Sequence, residues 1–154
     1  MIRLAFLFIL TLSSCCPLTG NAAAWSFATK RPEDAALVGN YKADWILRAS
    51  NDTWKRGHVD LRSDGTATVT EFPVISSDYG FDAVPKEPVV FSGEGRWKVG
   101  EEKVGEQSFF NVIITVEGTP YTLTVWHNTP PHELWIQVGD EDAGEGVLFR
   151  RVSR

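Results

Sequence analysis

Cysteine is nearly absent from this chain: Cys15 and Cys16 are the only two in 154 residues, and both lie close to the amino terminus. No disulfide can therefore staple a domain that follows them, and such a domain must stand on its core. Long apolar runs are missing as well. The one from Leu4 to Leu12 covers nine positions, whereas a membrane-spanning helix needs ~20 to cross ~30 Å of hydrocarbon. Positive charge is the minority sign, with 15 Lys and Arg against 20 Asp and Glu, a net charge of −5. Nucleic-acid binding depends on clustered cations that displace phosphate counterions, so this balance excludes it as a partner. There are no internal repeats.

Marks of catalysis are also scarce. There is no Gly-x-Ser-x-Gly elbow, and Ser92 in Phe91-Ser92-Gly93 has no evident base. Of the three histidines His58, His127 and His132, no two stand at i, i+2 or i, i+4, so they are expected to be surface or strand-end residues with no metal between them. Asp140, Glu141, Asp142 and Glu145 lack the spacing of a calcium-binding loop and read as a solvated acidic turn. The expectation is a protein that is not an enzyme and needs no cofactor.

The amino terminus has the three-part layout of a secretory signal: Arg3, the apolar run, then small and polar residues. Two cleavage sites compete within residues 1–24. Leu12-Ser13-Ser14-Cys15 resembles a bacterial lipobox, which implies lipidation of Cys15 and a membrane anchor. Ala22-Ala23-Ala24 offers the small-x-small pattern of an ordinary signal peptidase site. Either outcome implies the cell envelope, as a periplasmic or outer-membrane-attached lipoprotein or as a protein secreted to the periplasm. Loss of Arg3 leaves the mature chain at −6. Residues 25–36 then read as a stem and 37–154 as one β-domain, about the size that folds on its core alone.

The pattern along the domain is β. Val59, Leu61, Ala67 and Val69 share one face of a hairpin if Ser63-Asp64-Gly65 forms a three-residue loop with Gly65 left-handed. Phe110, Val112, Ile114 and Val116 alternate with Asn111, Ile113 and Thr115, and Tyr121, Leu123 and Val125 with Thr122, Thr124 and Trp126, so one face is wholly apolar and the other mixed. Closing that turn at Gly118-Thr119 sets Val116 opposite Tyr121 and Val112 opposite Val125. Further strands are expected at 41–47, 89–91 with 95–99, 133–138 and 147–152, and a helical turn within Arg31 to Val38. Seven or eight short strands favour an antiparallel up-and-down barrel or a sandwich.

Gly39-Asn40-Tyr41, Leu61-Arg62-Ser63-Asp64-Gly65-Thr66, Gly95-Arg96-Trp97 and the closing Leu148-Phe149-Arg150 resemble, in their order, small bacterial lipocalin-like proteins. The likeness runs from Leu37 to Val152 and departs in having Tyr41 where lipocalins carry tryptophan. It implies a meander barrel with an interior cavity. Ligand contacts are accordingly expected from the apolar face (Phe110, Val112, Ile114, Tyr121, Leu123, Val125) and from Tyr79 and Phe81 in the long Pro73 to Pro88 segment, which would cover the barrel mouth. The expected partner is a small apolar or amphipathic molecule. The alternative is an envelope protein: Ser92-Gly93-Glu94-Gly95 resembles the Ser-Gly-x-Gly stretch of envelope lysozyme inhibitors, a resemblance that implies a loop inserted into a basic cleft, for which the −6 charge of the mature chain is suitable. Trp126 falls on the mixed face of its strand, where an exposed indole would need a reason.

Overall fold

A computed structural model of the protein describes residues 27–47, 56–73, 90–137 and 146–153. Cys15 and both cleavage sites, Tyr79 and Phe81, and the acidic run at 140–145 lie outside these residues. The elements are α1 (Asp34–Leu37), β1 (Gly39–Leu47), β2 (His58–Leu61), β3 (Thr66–Pro73), β4 (Val90–Val104), β5 (Gln107–Val116), β6 (Thr119–Trp126), β7 (Glu133–Gln137) and β8 (Gly146–Arg151). Each strand pairs antiparallel with the next, and β8 pairs with β1. The result is a closed eight-stranded meander barrel, which leaves no room for the sandwich.

Local chemistry explains the first hairpin. Leu61 pairs with Ala67 and Val59 with Val69, as the alternation requires, and all four are buried. Gly65 takes φ 79, a conformation that costs glycine little. Asp64 accepts hydrogen bonds from the Thr66 hydroxyl at 2.6 Å and the Thr66 N–H at 2.9 Å, and these hold its carboxyl below the ordinary aspartate value.

The second hairpin differs from the sequence expectation in register. Val116 pairs with Thr119, Ile114 with Tyr121 and Val112 with Leu123, two residues away from the pairing set by a turn at Gly118-Thr119. The loop is instead Glu117-Gly118, both left-handed with φ 51 and 84. A two-residue loop of that kind matches the right-handed twist of the strands. Because the shift is even, every side chain keeps its face. The pieces expected at 89–91 and 95–99 are one strand, β4, of 15 residues.

Inside the barrel Tyr41, Val59, Leu61, Ala67, Val69, Val112, Ile114, Leu123, Val125, Leu134, Ile136, Val147 and Phe149 are all buried in one cluster. Fully burying an aliphatic side chain contributes about 1.5–3 kcal/mol. The lower end holds α1, the β2–β3 and β4–β5 turns and the 127–132 loop. The upper end holds the Glu117-Gly118 turn, the ends of β1, β3 and β7 and the starts of β2, β4 and β8.

The lower end is closed by α1. Leu37 is fully buried, and its carbonyl accepts a hydrogen bond from the Tyr41 hydroxyl at 2.7 Å. Arg151 donates to the carbonyls of Ala36, at 3.1 Å, and Val38. Residues 27–36, read from the sequence as a stem, run along the barrel and bury Ala28 in the core cluster.

Burial pushes the Tyr41 phenol up from 10.0 to about 12, against the opposing pull of Arg151. The unfolded phenol titrates near 10, so the native state is the tighter proton binder above that pH. Its contribution is complete below pH 10 and is lost as pH rises toward 12, by up to ~3 kcal/mol. Tyr41→Phe should cost ~1 kcal/mol at pH 8 for the lost hydrogen bond and should flatten this alkaline decline. Urea unfolding of both proteins at pH 8 and pH 11.5 measures it, and equal declines would show that Tyr41 is not the group responsible.

Candidate functional site

The upper end of the barrel carries an aromatic cluster that the alternation in the sequence does not reveal. In β3, Val69 pairs with Gly93 and Phe72 with Phe91, so Thr70 and Glu71 together oppose Ser92. That extra residue is a β-bulge. Glu71 adopts φ 46, and its N–H donates to Ser92 Oγ at 3.0 Å. Without the bulge Glu71 would follow Ala67 and Val69 into the barrel; with it, Phe72 does.

Phe72 is fully buried and meets three rings, with centroids 5.7 Å from Phe91, 5.8 Å from Tyr121 and 5.6 Å from Phe149. Phe91 and Tyr121 stack at 4.7 Å and are only half-buried. Ring pairs of this kind contribute about 0.5–1.5 kcal/mol beyond their area. The cluster thus has a buried floor, Phe72 and Phe149, and a partly open rim, Phe91 and Tyr121. Its rim strands are those into which the connections at 74–89 and 117–118 feed. A surface of this composition can hold an apolar body by stacking and dispersion.

The residues expected to contact a ligand separate by height. Val112, Ile114, Leu123 and Val125 are 0% exposed, so they face no void that admits water and the barrel is packed at their level. Phe110, lower on β5, is also buried. Tyr121 is the member of that set that reaches the rim. Phe72, Phe91 and Phe149 were not singled out from the sequence. The bulge hides the first, and the short apolar stretches of β4 and β8 show no face of their own.

The histidines are spread over the molecule. His58 is exposed opposite Thr70. His132 is not on the surface: it is 2% exposed, with Nδ1 3.0 Å from the His127 carbonyl oxygen. His127 follows directly on β6, and its Nε2 lies 3.6 Å from Glu133. Arg150 joins Glu133 at 3.0 Å and Asp44 at 2.6 Å across the outer wall. Exposed pairs of this kind are worth ~0–1 kcal/mol. Among the described residues no three His, Cys, Asp or Glu side chains gather as a metal would require.

Ser92-Gly93-Glu94-Gly95 lies within β4, paired to β3, and is not a loop. The feature that projects is the lower half of the β4–β5 hairpin. Beyond Arg96, the last β4 residue to pair with β3, Lys98 to Val104 pairs with no strand on that side among the described residues. The hairpin tip exposes Glu101, Glu102 and Glu106 against Lys103. Charges on an open edge are a common block to strand addition.

Trp126 does point outward but is only 6% exposed, since Phe27 and Trp135 pack on it at 6.1 and 5.6 Å. The chain matches no protein-family model, no curated protein and no solved structure, so any functional reading rests on the geometry of the barrel itself.

Proposed function

We propose that the protein is an exported, non-catalytic binding protein of the bacterial cell envelope, lipid-anchored through Cys15, that takes a small apolar or amphipathic molecule at the upper end of its barrel. The observation that carries the reading is the half-buried Phe91–Tyr121 stack above the buried Phe72 and Phe149. The packed middle of the barrel limits the ligand to this end, so it is a shallow site. The lipocalin-like order of motifs supports the same use of the fold, and the lipobox-like Leu12-Ser13-Ser14-Cys15 supports the anchor.

Titration with a fluorescent fatty acid should change the tryptophan emission of the purified protein saturably. Replacing Phe91 and Tyr121 together by serine should weaken this at least ~10-fold while the barrel stays folded by circular dichroism. No saturable response from the wild type, or equal affinity in the variant, would remove the upper end as the site. A second reading is favoured by the projecting acidic hairpin, which suits a basic cleft on an envelope protein such as a cell-wall-degrading enzyme. It is separated from the first by shortening the hairpin between Glu101 and Ser108: loss of enzyme inhibition with unchanged fatty-acid binding supports the second reading.

A further inference from the structure

The two rim rings of the upper end form a platform. Phe91 and Tyr121 lie 4.7 Å apart with an interplanar angle of 30°, and both are half-buried. Phe72 stands 5.7 Å from the first and 5.8 Å from the second, inclined to them at 75° and 73°. A ring seated on the outer face of Phe91 would lie much further from Tyr121 than from Phe91. Phe72 is nearly equidistant, so it borders the edges of both rings and covers the outer face of neither. Among the described residues no other ring packs on the pair.

The space beneath the platform is filled. Phe72 and Phe149 are fully buried and stack on each other, with centroids 5.6 Å apart at 20°, and Val112, Ile114 and Leu123 below them are 0% exposed. No chain can pass down into the barrel.

These two features discriminate between shapes of ligand. A flexible acyl chain gains free energy in proportion to the apolar area it removes from water. On a filled barrel it would lie across the rim with most of its methylenes still wetted, and each segment held there would lose rotamer freedom. A flat ring loses no such freedom, and its face meets a ring face, where offset stacking adds to the gain from area. Tyr121 also brings a hydroxyl, both donor and acceptor, to the rim.

We propose, resting on the upper end as the ligand site, that this site selects a compact planar aromatic molecule of one or two rings with a hydrogen-bonding substituent, such as a phenol or an indole, over a long acyl chain. The ligand lengthens the Phe91–Tyr121 stack by one ring.

The test is a heteronuclear NMR titration of the full chain with 2-naphthol, with 2-decalol and with dodecanoate. 2-Naphthol and 2-decalol share a fused two-ring skeleton and a hydroxyl, and only the first is planar and aromatic. 2-Naphthol should shift the Phe91 and Tyr121 amide signals saturably, with a Kd on the order of 1 mM. 2-Decalol and dodecanoate should act on the same signals at least ~5-fold more weakly. Phe91→Leu, which keeps an apolar side chain and removes the ring, should weaken 2-naphthol ~5-fold and leave 2-decalol within ~2-fold of the wild type. The comparison of probes on the wild type needs no variant. Equal or tighter binding of 2-decalol or dodecanoate would overturn the selection for a flat ring and leave the upper end as the site, as would unchanged 2-naphthol affinity in Phe91→Leu. Shifts at Phe91 and Tyr121 with none of the probes would overturn both.

Discussion

Gly95→Ala is expected to be among the most damaging single substitutions in the barrel, lowering unfolding free energy by ~3 kcal/mol or more. A β-carbon at Gly95 would lie 2.1 Å from the Thr115 carbonyl oxygen and 3.0 Å from Val116 Cγ2. The obstacle is the backbone of the next strand. Relief therefore requires β4 and β5 to separate along a ladder that holds the core on both sides. Gly118→Ala gives the contrast: nothing lies within 4 Å, and only its φ of 84 is unfavourable for a side chain, so it should cost ~1 kcal/mol. Urea unfolding of the two variants measures the difference. A Gly95→Ala protein within ~1 kcal/mol of the wild type would mean that the strands are not held this closely.

Phe72→Ala should cost ~3–5 kcal/mol, because it empties a fully buried position against three other rings. Tyr121→Ser at the half-buried rim should cost less than ~2 kcal/mol, and Phe72→Leu ~1–1.5 kcal/mol, since most of the volume is kept. The order of these losses bears on function. If the rim residue proves as costly as the floor residue, the whole cluster is core and a ligand has nowhere to stack. If Tyr121→Ser is cheap and also weakens fatty-acid binding, the floor and rim serve different ends, one holding the barrel and the other its ligand. Thermal unfolding followed by circular dichroism, with the same probe titration, decides between the two.

Much of the architecture was legible because strand alternation and turn chemistry are local. Val59, Leu61, Ala67 and Val69 carry their face in their spacing, and Gly65 marks where the chain must turn left-handed, so pairing and loop length follow together. In the second hairpin the faces were equally plain, but the register was not. Glu117 at φ 51 is a conformation that no sequence pattern announces for glutamate, and choosing Gly118-Thr119 as the loop moves every pair by two. Trp126 shows the same limit from the other side. Its outward direction could be read from its strand, whereas its cover, Phe27, comes from about a hundred residues earlier in the chain.

The sequence by itself determined that this is an antiparallel β-domain of seven or eight strands, built without disulfides, with an apolar face on each of two hairpins. These are consequences of period-two alternation, of glycine at turns and of the placing of both cysteines, and each acts over a few neighbouring residues. Only the tertiary structure decided that the strands close into a barrel and that one residue of slack in β3 turns Phe72 inward in place of Glu71. Closure and bulge are both set by how strands from distant parts of the chain share one ladder of hydrogen bonds, and the relative register of distant strands is not written in the order of residues along either one.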